Sequence, residues 1–116
     1  MNLKKCLVAT SILFFMQHLH AQNVGYACIY SKGLCGGKTA SGEKLNCDKL
    51  TAAHKTLKLG SSVRVTNSDN GKSVVVRIND RGPYSKKLTI DLSPAAAKAI
   101  GLSYQKGITK VRIDKI

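Results

Sequence analysis

The chain has no tryptophan, two phenylalanines, two prolines and a single glutamate among six acidic residues. So little proline, with ten glycines, excludes collagen-like and proline-rich architectures. A hydrophobic content of 43% excludes compositional disorder. No apolar run reaches the ~20 residues that a membrane-spanning helix needs. There is no C-x-x-C pair, no zinc-finger spacing and no glycine-rich phosphate loop, so the usual metal and nucleotide signatures are missing. The scarce acids face 19 Lys+Arg, a formal net charge of +13 over 116 residues. That length favours one domain. That charge leaves nucleic acid, anionic membrane and acidic polysaccharide as partner classes.

The first residues narrow the choice. Lys4 and Lys5 form a positive start, Leu7 to Met16 is apolar but for Thr10 and Ser11, and Ala21 is a small residue for cleavage. Residues 1–21 therefore read as a signal peptide, leaving 22–116 as one domain, secreted or periplasmic. Cys6 precedes the apolar run and no Leu-x-x-Cys follows it, so neither a lipid anchor nor a membrane span is expected after cleavage. The remaining aromatics, Tyr26, Tyr30, Tyr84 and Tyr104, are too scattered for base stacking, which removes nucleic acid as a partner. No basic amphipathic helix points to a membrane. Cys28, Cys35 and Cys47 cannot all pair internally. One disulfide is expected in an oxidising compartment, its pairing open, with one cysteine left for an intermolecular bridge in an otherwise monomeric protein. Neither a metal nor a cofactor is expected.

Strand signals dominate. Val24 to Tyr30, Ser62 to Asn67, Ser73 to Ile78, Leu88 to Leu92 and Thr109 to Ile113 read as strands, several with strict apolar–polar alternation. Asn70-Gly71 marks a hairpin between the second and third. One helix is well punctuated, with Ser93 as N-cap, Pro94 in its first turn, an alanine-rich body and Gly101 after its end. Leu50 to His54 reads as a shorter helical turn. Short strands with one or two short helices suggest a compact, mainly β barrel, because closure removes exposed edges.

Three segments could carry chemistry. Ile78 to Tyr84 gathers turn residues and charges where a strong strand ends. Lys38 to Glu43 holds the only glutamate, and Leu50 to His54 the only histidine past the leader. Each residue also has an ordinary reading. Asp80 can close an Asx turn, Arg81 can pair with Asp91 at the surface, His54 can sit at a helix C-terminus, and Glu43 can be a solvated loop residue.

Taken together, several ordered motifs carry a resemblance. They are Gly25…Tyr30, Thr39-Ala40-Ser41-Gly42-Glu43, Leu50-Thr51-Ala52-Ala53-His54, Val63 to Asn67, Val76 to Tyr84 and Asp91-Leu92-Ser93. In these the chain resembles the six-stranded double-psi β-barrel of the RlpA (rare lipoprotein A) family of endolytic peptidoglycan transglycosylases. The resemblance implies a cleft that gathers Glu43, His54 and Asp80 as catalytic residues, with Thr39, Arg81 and Tyr84 binding substrate. It implies cleavage of the β-1,4 bond between N-acetylmuramic acid and N-acetylglucosamine, without water, to a 1,6-anhydro end. Peptide-poor peptidoglycan glycan strands would be the partner, and Asp80 the acid/base. The chain departs from the family pattern at Cys28, Cys35, Lys58 and Leu88, and lacks the lipid-attachment cysteine and the C-terminal glycan-binding repeat of many relatives. An expansin-like module that binds wall glycan without cutting it is the alternative.

Overall fold

The computed structural model describes residues 23–116; the signal-peptide expectation lies outside the described residues. Six strands appear: β1 (Val24–Ile29), β2 (Thr51–His54), β3 (Ser62–Asn67), β4 (Ser73–Asp80), β5 (Ile90–Leu92) and β6 (Ile108–Lys115). They close into a barrel in the order β1-β5-β2-β4-β3-β6. The β1–β5 and β2–β4 pairs are parallel and the other four antiparallel. The mainly β, closed-barrel expectation holds; among the described residues there is one α-helix, α1 (Pro94–Ala99), and one 3-10 turn, at Lys32–Leu34.

Alternation builds the core. Val63 and Val65 of β3, Val76 and Ile78 of β4, Ile90 and Leu92 of β5, and Val111 of β6 are all buried inside the ring. With no Phe or Trp in the described chain, these branched side chains fill the interior, capped by Ala96, Ala97 and Ile100 of α1. Ser93 caps α1 as expected, its Oγ accepting from Ala96 N at 3.2 Å. At Gly25 a Cβ would stand 2.3 Å from Thr89 Oγ1, so only glycine lets β1 lie this close to the approach to β5.

One local reading changes. Leu50 to His54 is not a helical turn: Thr51–His54 is β2, clasped between β4 and β5. Alanine-rich helix propensity is worth a few tenths of a kcal/mol per residue, and ladder pairing on both sides outweighs it. The β3–β4 hairpin forms as expected, turning over the five residues 68–72 between Asn67 and Ser73, with Gly71 left-handed (φ 75°).

The disulfide joins Cys35 to Cys47, leaving Cys28 free. It staples a long excursion, residues 31–49, laid over the outside of the barrel. Gly36 N donates to Leu45 O at 2.8 Å and Ser41 N to Asn79 O at 3.1 Å, while Leu45 packs on Tyr30 and Ala53. That lid turns one outer face of the barrel into an interior.

Candidate active site

A bulge sets the site. Ala52 pairs with Ile78, but Ala53 pairs with Asp80, so Asn79 is skipped. Ile78 belongs to the barrel core, whereas Ala53 packs outside it with Tyr30 and Leu45. Strict alternation would have aimed Asp80 into the core with Ile78. The extra residue re-aims it outward beneath the lid. In β5, Ile90 and Leu92 point inward and Asp91, opposite Ala53 and Cys28, points outward. Across four strands the outer row therefore reads Cys28, Asp91, Ala53, Asp80. The two carboxyl residues flank one alanine, two strand spacings (about 10 Å) apart at the backbone.

Asp80 is held by three donors. Its Oδ1 accepts from Ala40 N at 2.8 Å and Arg81 N at 2.9 Å, and its Oδ2 from the Tyr30 hydroxyl at 2.5 Å. The bond to Arg81 N is local but reaches only one residue on, not the two that the expected Asx turn spans. The other two are long-range and exist only because the lid and the end of β1 converge on it. Burial, then the bond to Asp80 and its charge, hold the Tyr30 phenol well above its ordinary range, so it remains a donor.

Asp91 is the opposite case. Its Oδ1 is buried with no hydrogen-bond partner. Burial pushes its carboxyl up to about 6; the Cys28 thiol beside it pulls the other way, and the Asp80 charge adds to the rise. Cys28 itself is pushed up to about 12 by burial and then by Asp91, so its thiol stays protonated and poorly nucleophilic. The expectation of a cysteine offered for an intermolecular bridge has no support in that setting.

The remaining expected residues lie at the same end of the barrel in separate settings. His54 ends β2, next to Asp80 in register. Its Nδ1 accepts from Thr56 N at 3.1 Å and Leu57 N at 3.0 Å, which assigns the ring proton to Nε2. Burial, then the charges of Arg81 and Lys55, push the imidazole down, so it is a neutral donor rather than a cation. It lines a small hollow of about 190 Å³ with Leu57 and Thr89. Glu43 lies elsewhere, in an open groove of about 450 Å³ with Ala40, Ser41 and Arg77. Arg77 grips it with two bonds, at 2.6 and 3.1 Å, and these lower its carboxyl to about 2. Glu43 is thus a fixed anion and cannot serve as a proton donor near neutrality.

Arg81 does not pair with Asp91. Its guanidinium donates to His54 O at 3.1 Å and Leu57 O at 2.6 Å, building the turn that carries the imidazole. Thr39 is buried, its hydroxyl donating to Glu43 O at 2.7 Å within the lid turn. Tyr84 follows the cis Gly82–Pro83 bond and is 89% exposed, a ring free to stack. A hollow of about 880 Å³ beside α1 and the disulfide contains none of Glu43, His54, Asp80 or Asp91. Among the described residues, His, Cys, Asp and Glu nowhere gather in the threes a metal ion would need. No described helix is long and apolar enough to cross a membrane.

Sequence reasoning missed Asp91 and Tyr30 as site residues. Alternation offered a signal: Asp91 lies between two apolar strand residues, Ile90 and Leu92, and so faces away from the core beside its strand neighbours.

The geometry has counterparts. A family model described as "Lytic transglycolase" matches residues 22–113. The chain is 43% identical over 117 residues to the probable endolytic peptidoglycan transglycosylase RlpA of Treponema pallidum, covering 97% of this chain and 36% of that one. It is 53% identical over 92 residues to the endolytic peptidoglycan transglycosylase RlpA of Haemophilus influenzae, covering 79% and 32%. The chain thus spans about a third of the length of these curated relatives. Among solved structures it is similar to the expansin of Clavibacter michiganensis, with TM-score 0.64 and 22% identity over 81% of this chain and 50% of that one. It is also similar to a Streptomyces papain inhibitor, with TM-score 0.57 and 22% identity over 79% and 93%. At that identity the two structures speak for the fold alone. The closed six-stranded barrel is a double-psi β-barrel, and by the match over residues 22–113 the chain belongs to the lytic transglycolase family.

Proposed function

We propose that this domain is an endolytic peptidoglycan lytic transglycosylase that acts outside the cytoplasm, secreted or periplasmic, as a monomer on peptide-poor glycan strands. Its relatives carry that activity in their names. The observation that carries the reading is the pair of outward carboxyl groups either side of Ala53, one clasped by three donors and the other with one oxygen buried without a partner.

The chemistry asks for two proton movements. The muramic 6-hydroxyl attacks its own anomeric carbon, so the C1–O6 bond forms as the C1–O4 bond to N-acetylglucosamine breaks. The O6 proton goes to a carboxylate, and the leaving O4 takes a proton from a carboxylic acid. No water is consumed, and the tethered nucleophile has little entropy to lose. Asp80, fixed as an acceptor, takes the O6 proton. Asp91, with its carboxyl at about 6, is suited to deliver one to O4. The proton on Asp80 then passes through solvent back to Asp91, and the site is restored. His54 offers its Nε2 proton to a substrate oxygen, Tyr84 offers a sugar-stacking ring, and Arg81 holds the turn between them. Glu43 and Thr39 shape the lid that carries Ala40.

Mass spectrometry of purified glycan strands digested with the protein tests this. The expected product is the 1,6-anhydro end from wild type, with none above background from Asp80→Asn. Reducing ends in place of anhydro ends would mean a hydrolase. Binding without cleavage would mean the expansin-like alternative.

A further inference from the structure

The lid and β1 end on the same carboxylate, and they contribute unlike donors. Two of the three groups on Asp80 are backbone N–H groups, both on Oδ1, and the third is the Tyr30 hydroxyl on Oδ2. A carboxylate gripped at one oxygen can still turn about its Cβ–Cγ bond. A donor on the second oxygen removes that rotation.

Tyr30 is built to be that donor. Its backbone N donates to Leu92 O at 2.9 Å, and its backbone O accepts from the Tyr104 hydroxyl at 3.3 Å. Its ring packs against Leu45 and Ala53, and the residue is only 6% exposed. Packing alone asks for a ring but not for a hydroxyl, since a phenylalanine fills nearly the same space without a buried polar group to satisfy.

We propose that Tyr30 is a positioning residue for the reaction: its hydroxyl fixes the plane of the Asp80 carboxylate against the substrate's 6-hydroxyl. The inference rests on the reading of Asp80 as the proton acceptor. It locates part of the catalytic geometry in a buried residue just past the end of β1. A misplaced reacting group costs up to about a hundredfold in rate.

The experiment compares wild type, Tyr30→Phe and Asp80→Asn as full chains. In Tyr30→Phe, kcat for anhydro-end release is expected to fall by about ten- to a hundredfold, with KM within about twofold and a melting temperature close to wild type. In proton NMR, wild type should show a downfield, slowly exchanging phenolic hydroxyl. That resonance should vanish in Tyr30→Phe and move upfield in Asp80→Asn. A kcat equal to wild type would overturn the proposal, as would a loss confined to thermal stability with kcat per folded molecule unchanged. Should wild type release no anhydro ends, the transglycosylase reading falls by itself and the NMR decides positioning. A hydroxyl resonance that depends on Asp80 supports it, and its absence refutes it.

Discussion

Tyr26 in β1 and Tyr30, one residue past its end, stand four residues apart, yet Tyr26 is 48% exposed and Tyr30 is 6% exposed. The difference lies in what covers them. Around Tyr26 the outer face of β1, β6 and β3 is bare, and it presents Lys110, Arg112 and Arg64 to solvent. Around Tyr30 the disulfide-stapled segment 31–49 covers the sheet, and the outer row there is Cys28, Asp91 and, through the bulge at Asn79, Asp80. Exposed, a charged group keeps its ordinary character and is screened by salt within about 8–10 Å. Covered, a carboxyl either gathers donors or gives up its charge. On the proposed function the two regions divide the work: the bare face would attract an anionic strand, and the covered face would act on it.

The sharpest way to break that division is Asp80→Asn, which should lower anhydro-end release by about 10³-fold while leaving salt-dependent glycan binding intact. Loss of both together would tie binding to the covered face. Next comes removal of the cover. Replacing Cys35 and Cys47 together by Ser, across a separation of 12 residues, should cost about 3 kcal/mol. A calorimetric melting temperature lower by about 10–20 °C is expected, with activity falling as Ala40 leaves Asp80. Unchanged activity in the folded double variant would show that the lid is dispensable.

A third measurement follows Asp91 through pH. Its folded carboxyl titrates at about 6, above the ordinary value of 3.8. A raised carboxyl contributes stability at pH below about 4, and that contribution is lost as pH rises through 6. The melting temperature of wild type should therefore decline across that window, and Asp91→Asn should flatten the decline. A fourth tests the bare face, where Arg64→Glu with Lys110→Glu should raise KM severalfold at low salt, lose that effect at high salt and leave kcat alone. Glu43→Gln should do least, since the Arg77 pair is exposed; a fall in melting temperature of about 5 °C at most is expected.

Much of the ring was legible. The alternation in β3, β4 and β6, the Ser93-Pro94 start of α1 and the three chemistry-bearing segments were visible because each is a local pattern. What stayed hidden depends on partners distant in sequence. The pairing of Thr51–His54 with two strands turned an alanine-rich stretch into β2. The bulge at Asn79 follows from the register between β2 and β4, and without it Asp80 looks like an inward residue. The choice of Cys47 over Cys28 as the partner of Cys35 depends on where the lid returns. Glu43, His54 and Asp80 do reach one end of the barrel, but sequence spacing could not show that Arg77 would claim the glutamate.

The ring closes between its earliest and latest strands, Val24 pairing with Arg112 and Cys28 with Ile108. Until β6 arrives, β1 and β3 each keep an unsatisfied edge, and an unsatisfied edge is a template for pairing with other molecules. Contacts this far apart along a chain also form slowly, because the loop between them must close first. The cations that β6 carries on its solvent side, Lys110 and Arg112, thus have a task before any substrate is met. Like charges on neighbouring nascent chains repel, and they keep the late strand available for its own barrel.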